Sequence, residues 1–469
     1  MNPAKNKEVK PNLSNPYLAA ITFTATLGGL LFGYDTAVIS GAERSIQTYL
    51  ITSQGLSTWI HGLTISSALI GCIIGGALSG LFSTKFGRKK SLIVAAFLFF
   101  LSAWGSAYPE FPFSTPGEAT MAVLYSFNFY RIIGGIGVGM ASAIVPMYIG
   151  EVAPSHIRGR LVSLNQFAII FGMLVVYFVN WGIANGQTLE WINTIGWRRM
   201  FLSEAIPAGL FGILLFFVPE SPRYLSLKQK DQEALNILAR INGIERANEI
   251  LQEIKATLVR HSSGKLFSYG KIVVIIGIML SVFQQFVGIN VALYYAPRIF
   301  ESMGAAKDAS MLQTVVMGLV NVIFTVIAIL TVDKYGRKVL LLIGSVGMAF
   351  GMFAIAMLSW FEVIGMATLV FIIIYTASFM MSWGPVTWVL ISEIFPNKIR
   401  GKAVAVAVMA QWAANYLISS SYPAMMELSG AFTYGFYGTM SILSFLFVWK
   451  MVPETKGKTL EEIESIWSK

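Results

Sequence analysis

The chain has 469 residues, 55% of them hydrophobic and 12% charged, with a formal net charge of +10 and a single cysteine. A soluble domain carries about a quarter charged residues, so this composition excludes an ordinary water-soluble protein and points to lipid as the solvent. The lone Cys72 excludes an intrachain disulfide, and the absence of a GxxxxGK[ST] loop argues against ATP hydrolysis within the chain.

Twelve runs of mostly apolar residues, each long enough to span a bilayer, start near residues 17, 59, 91, 121, 159, 200, 271, 311, 339, 364, 402 and 432. They predict an all-α integral membrane protein with twelve transmembrane helices. The polar start from Met1 to Pro16 has no cleavable signal pattern, so the first helix is expected to stay as an anchor. With the N-terminus inside and the spans alternating, 28 of the 34 Lys and Arg residues fall in cytoplasmic segments. Arg44, Arg198, Arg199, Arg298 and Lys307 fall outside, and Arg131 falls within a span. That asymmetry is the positive-inside signature, with both termini cytoplasmic, and it accounts for the basic balance without a nucleic-acid partner.

In the first span, Asp35 ends the run Leu30-Leu31-Phe32-Gly33-Tyr34-Asp35. In the fourth, Arg131 precedes Gly134-Gly135-Ile136-Gly137-Val138-Gly139. Intramembrane charges are costly and face a cavity or a partner, so the simplest expectation is that these two face each other. A guanidinium favours an ionised carboxyl and a dry pocket a neutral one, so an acid moved between the two can bind a proton on one side and release it on the other. The plainer reading is a static ion pair between two helices. Glu204, in the sixth span, is a candidate for tuning the pair. The glycine run lacks the GxGxxG spacing, and Gly135 and Gly139 share one face, which suits close helix packing.

The chain then repeats itself. Lys85-Phe86-Gly87-Arg88-Lys89 is matched by Lys334-Tyr335-Gly336-Arg337-Lys338, Glu151-Val152-Ala153-Pro154 by Glu393-Ile394-Phe395-Pro396, and Val218-Pro219-Glu220-Ser221 by Val452-Pro453-Glu454-Thr455. Three matches in one order at a nearly constant offset imply two six-helix halves of the same orientation, with a binding site between them. The expected organisation is residues 1–219, a polar cytoplasmic linker at 220–270, residues 271–453, and a cytoplasmic tail at 454–469. In the linker, Leu235, Leu238 and Ile241 form one apolar stripe and Leu251, Ile254 and Leu258 another, parted by Gly243. These are amphipathic helices beneath the bundle, acting as a tether or a latch. Arg88, Glu151, Arg158 and Glu220, with Arg337, Glu393, Arg400 and Glu454 in the second half and Arg223 without a counterpart, are expected to form ion pairs between helix ends that hold the cytoplasmic side shut.

Uncharged amides stand in spans of both halves: Gln166, Gln284, Gln285, Asn290, Asn321, Gln411 and Asn415. Amides donate and accept at once, as sugar hydroxyls require. Gln411 and Asn415 share a face, as do Asn290 and Tyr294. Gly288 can relax the seventh helix, and Gly384-Pro385 should break the tenth just before Trp388. Phe32, Trp388 and Trp412 offer aromatic faces for the C–H face of a sugar ring. Singly, each amide reads as an interhelical hydrogen bond and each Trp as an interfacial anchor; together they favour a polyol site. His61, His156 and His261 lie far apart, and no metal site, cofactor site or catalytic constellation is visible, so the chain does not read as an enzyme.

These motifs resemble the sugar porter family of the major facilitator superfamily over nearly the whole chain. The resemblance rests on Gly28-Gly29-Leu30-Leu31-Phe32-Gly33-Tyr34-Asp35, Pro146-Met147-Tyr148-Ile149-Gly150-Glu151, Pro219-Glu220-Ser221-Pro222-Arg223, Gln284-Gln285-Phe286-Val287-Gly288-Ile289-Asn290 and Pro453-Glu454-Thr455-Lys456-Gly457. It implies two pseudo-symmetric six-helix bundles and sugar contacts from Phe32, Gln166, Gln284, Gln285, Asn290, Tyr294, Asn321, Gly384, Trp388, Gln411 and Trp412. It also implies that Asp35 takes the proton beside Arg131, since passive members usually carry Asn there. The segments Asn165–Gly172 and Ser382–Val386 look most like a D-xylose-transporting member. The implied activity is proton-coupled import of D-xylose or a closely related monosaccharide across a bacterial inner membrane, by a monomer using the proton as coupling ion. A hexose symporter or a passive facilitator is the alternative, and a sugar-binding sensor the remote one. Two departures stand out. Thr84 replaces the loop Asp that the second half keeps as Asp333, and Met173 stands where Gln is expected in a xylose carrier, leaving pentose against hexose open.

Overall fold

The computed structural model describes residues 15–111, 115, 117–154, 157–259, 265–302, 304, 306–362, 366–396, 398–457, 462, 463 and 467. His156, His261, the N-terminal tail to residue 14 and most of the expected C-terminal tail lie outside the described residues, as do the side chains of Leu258 and Lys307. Among the described residues, twelve helical segments are long and apolar enough to cross a membrane, beginning with Pro16–Gln54 and ending with Gly430–Met451. Large apolar side chains such as Phe97, Phe216 and Leu330 face outward, as a lipid solvent requires.

Eleven spans begin within a few residues of the expected positions; the sixth does not. It runs from Leu189 to Phe217, more than two turns earlier than the charge of Arg198 and Arg199 implied. The early turns persist because Arg198 is satisfied in place. Its guanidinium donates to Glu110 and to the Ala107 carbonyl (2.9 Å) and lies 4.4 Å from the Trp197 ring. Two broken spans lie in the second half. The seventh splits into Lys271–Phe286 and Ile289–Tyr294 around Gly288, whose φ of 91° is left-handed and whose added Cβ would stand 2.7 Å from the Tyr437 ring. The tenth splits into Met366–Met380 and Trp383–Ile394, two residues before the expected break at Gly384. Pro385 explains the offset, because its missing N–H leaves the carbonyl four residues back, at Met381, without a helical donor.

The first six spans pack among themselves and the last six do likewise. Across the two halves the fifth span packs on the eighth, the second on the eleventh, and the first on Ile289–Tyr294 and the short helix Ala296–Ser302. Within the first half, the second and fourth spans touch backbone to backbone. A Cβ on Gly135 would lie 1.8 Å from the Ala68 carbonyl oxygen and one on Gly139 2.4 Å from that of Cys72, so the glycine run is a packing seam.

The linker folds into Pro222–Leu227, Asp231–Asn242 and Ile244–Val259, the last two parted by Gly243 at φ 81°. Leu238 and Leu251 meet Leu225, Ala234 and Ala247 in a small core of their own, with Leu235 and Ile254 against it. Ile241 instead packs on the main bundle. At the same end, Asn15 caps the first span and donates to the Arg240 carbonyl at 2.8 Å. That end of the molecule is the linker face; the opposite end, where residues 43–61 lie, is the far face.

Candidate functional site

Ten of the eleven residues expected to contact a sugar line one cavity between the halves. Phe32 and Gln166 come from the first half; Gln284, Gln285, Asn290, Tyr294, Gly384, Trp388, Gln411 and Trp412 come from the second. Asn415 and Met173 line it as well. The exception is Asn321, which is buried on the eighth span and is not among the residues that line this cavity.

The helix breaks place the amides. Gln284 lies in the last turn of the first segment of the seventh span and donates to the carbonyls of Trp383 (2.9 Å) and Gly384 (3.2 Å), tying the broken seventh helix to the broken tenth. Its carbonyl oxygen accepts from Gln285 and Gln411, and Gln285 in turn accepts from Asn290 beyond the break. Asn415 donates to the Tyr294 hydroxyl at 3.3 Å. Gln411 Oε1 and Trp412 Nε1 are buried without a partner, one acceptor and one donor left for a polyhydroxylic guest. Phe32 and Trp412 approach from opposite halves with ring centroids 5.7 Å apart.

Next to this cavity the expected charge pair exists. Asp35 is fully buried and its Oδ1 accepts from Arg131 at 2.8 Å, while Arg131 also donates to the Asp35 backbone carbonyl at 3.2 Å. Glu204 is fully buried and in electrostatic contact with both. It sits where the sixth span is interrupted, because Pro207 offers no N–H to the turn before it. Asp35 Oδ2 and both Glu204 carboxylate oxygens lack hydrogen-bond partners. Two carboxyls and one guanidinium in a dry site balance to neutrality only with one proton on the acids, so this trio can hold a proton. Tyr294 joins the two regions: it lines the cavity and lies in the field of Asp35 and Arg131.

At the helix ends two of the expected ion pairs form, and Glu220 and Glu454 take another role. Arg88 pairs with Glu151 at 2.7 Å, and Arg337 with Glu393 at 3.0 Å, so each of these pairs stays within one half and does not bridge the two. Glu220 and Glu454 are helix caps instead of ion-pair partners. Glu220 accepts from the backbone N–H of Arg88 (2.9 Å) and Lys89, Glu454 from that of Arg337 and Lys338 (3.0 Å each). Arg158 and Arg223 line a cleft beside Glu151 and the linker helices, and Arg400 donates to the Phe395 carbonyl. Thr84 bonds carbonyls of its own helix, whereas Asp333 pairs with Arg337 at 2.9 Å, so the first-half loop does lack that contact. Two ion pairs that cross between the halves lie on the far face: Glu43–Arg298 at 2.6 Å, and Arg44–Glu301. In the sequence Arg44 and Arg298 stand out only as minority external cations; Glu43, adjacent to the one, and Glu301, one turn from the other, are the signal for these pairs.

The model of the sugar (and other) transporter family matches residues 21–467. The chain is 53% identical to the D-xylose-proton symporter of Escherichia coli, over 97% of this chain and 96% of that one. It is 39% identical to the glucose facilitated diffusion protein of Zymomonas mobilis, over 97% and 98%. It superposes on the inward-open conformation of the xylose transporter XylE from E. coli with a TM-score of 0.87, at 53% identity, covering 96% of this chain and all of the other.

Proposed function

We infer the activity from one premise: the chain belongs to the sugar transporter family, within the major facilitator superfamily. It is a proton-coupled symporter that imports D-xylose or a closely related monosaccharide by alternating access, as a monomer in a bacterial inner membrane. The linker face is cytoplasmic, on the distribution of Lys and Arg, and the far face is external.

One observation carries this reading: the trio of Asp35, Arg131 and Glu204, which needs one proton for neutrality, meets an amide-lined cavity at Tyr294. With the far face closed by pairs across the halves and the linker-face pairs each within a half, the halves can part on the linker side without breaking Arg88–Glu151 or Arg337–Glu393. Sugar and proton then leave toward the cytoplasm. In the opposite state the trio takes a proton from outside, which neutralises one acid and lets the bundles close on sugar. Xylose fits the amide set. A hexose is the second reading, left open by Met173, whose thioether stands in the wall where a xylose carrier is expected to have a donor–acceptor amide.

The test is transport in proteoliposomes. Asp35→Asn is expected to abolish uphill accumulation of labelled D-xylose while counterflow persists; full accumulation by that variant would remove the proton role. Addition of sugar to a weakly buffered suspension should alkalinise it, and no alkalinisation would mark a facilitator. Competition by glucose, galactose and arabinose selects the sugar.

A further inference from the structure

The far-face closure contains a histidine that the mechanism above does not use. His61, near the start of the second span, is completely buried. Its Nε2 stands 3.2 Å from Glu43 Oε1, and neither ring nitrogen has a hydrogen-bond partner in good geometry. The same Glu43 oxygen accepts from Arg298 of the other half at 2.6 Å, and Glu43 itself is only 1% exposed. One carboxylate therefore holds the two halves together with a buried imidazole at its back.

The surrounding groups are few. Gln47 accepts a second bond from Arg298 at 3.1 Å. The Tyr295 ring meets His61 edge-on, and the phenols of Tyr295 and Tyr422 face Arg298, with Tyr294 and Tyr437 beyond. Arg44 pairs with Glu301 beside the cluster, and Glu427 of the eleventh span contacts Thr58, one turn from His61. Phenols ionise far above neutral pH, and the Arg44–Glu301 pair is already neutral. With His61 uncharged, Glu43 and Arg298 balance. One added proton on the His61–Glu43 pair, whose imidazole and carboxylate are both buried while Arg298 reaches toward solvent, leaves a net positive charge, and either breaks the bond to Arg298 or sets imidazolium and guanidinium against each other for one carboxylate.

We propose that His61, Glu43 and Arg298 form a proton-released latch on the external gate, in which His61 is a positioning residue that sets when Glu43 lets go of Arg298. Uptake of one proton from outside opens the gate, and the closed state expels it. By linkage, a latch that takes up one proton shifts its open-to-closed ratio by about tenfold per pH unit across its titration. The latch is separate from the Asp35 trio and lies on the side where, in the alternating-access reading on which it rests, sugar and coupling proton enter.

The test measures the gate without sugar. Spin labels on Ser53→Cys in the first half and Ser302→Cys in the second, with Cys72→Ala and with Asp35→Asn to silence the central trio, report the far-face distance in lipid nanodiscs. The longer, open distance is expected to gain population as pH falls from about 8 to about 5. Glu43→Gln should be open at both ends of that range, and His61→Gln should move the transition to lower pH. The charge-swapped pair Glu43→Arg with Arg298→Glu should restore closure, which guards against a fold defect in the single variant. A Glu43→Gln protein as closed as its parent, or a His61→Gln titration that overlays the parent's, overturns the latch. Neither result touches the symport reading, which stands or falls on accumulation against counterflow.

Discussion

At the linker face the two halves are built alike. In each, an arginine at a helix start pairs with a glutamate at the end of a neighbouring span (Arg88 with Glu151, Arg337 with Glu393), and a second glutamate caps the same helix (Glu220, Glu454). At the midplane the halves part company. The first carries the charges, Asp35, Arg131 and Glu204; the second carries most of the amides, Gln284, Gln285, Asn290, Gln411 and Asn415. The repeated scaffold must close helix ends in both halves, so its motifs match. The midplane carries no such shared requirement, and there the buried charges fall in the first half and most of the amides in the second.

That division can be broken by experiment. The largest effect is the one already described for Asp35→Asn, loss of accumulation with exchange retained. Its complement in the second half is Gln284→Ala. It removes the amide that ties the seventh span to the tenth, so KM for sugar counterflow should rise by a factor of roughly 5–150, corresponding to about 1–3 kcal/mol, with the proton-to-sugar ratio unchanged. A Gln284→Ala protein that uncouples transport at unchanged KM would dissolve the distinction between the halves. A smaller effect tests their likeness: Glu220→Gln and Glu454→Gln each weaken a helix cap and should cost similar stability, about 0.5–2 kcal/mol, read as matched falls in thermal unfolding temperature. A large inequality between the two would show that the motifs are alike in form only.

The smallest effect is specific to the first half. Burial pushes the Glu110 carboxyl up, but hydrogen bonds from Arg198 and Tyr49 outweigh it and hold the group below its ordinary value of 4.5. A folded value below the unfolded one contributes stability that is present above pH 4.5 and lost as pH falls through the folded value. Unfolding temperature should therefore drop in acid below that range, and Arg198→Gln should flatten the drop; an unchanged acid profile in that variant would remove the pair from the stability of the far face.

Much of this molecule was legible because lipid leaves few choices. An apolar run of sufficient length must become a helix, since nothing in a bilayer core can satisfy an open backbone, so spans and halves could be counted from composition and repeats. Buried Asp35 and Arg131 had to find a partner, and each is the other's. The sixth span was misplaced because a charged pair of arginines reads as a boundary until Glu110, almost ninety residues earlier in the chain, is seen to satisfy one of them. An amide in a span looks the same from the sequence whether or not it lines a cavity, and Asn321 is not among the residues that line this one.

By itself, then, the sequence determined the solvent, the number of spans, the duplication and the residue types able to carry a proton and a polyol, because each depends on local composition or on the cost of charge in lipid. Only the tertiary structure decided which of those residues meet. It gathered ten sugar candidates into one cavity and left Asn321 out, turned two presumed ion-pair glutamates into helix caps, and set Glu43 between His61 and Arg298 across the halves. The reason is physical: a contact between helices far apart in the chain depends on their relative rotation and crossing, which side-chain packing over the whole bundle sets and no local pattern encodes.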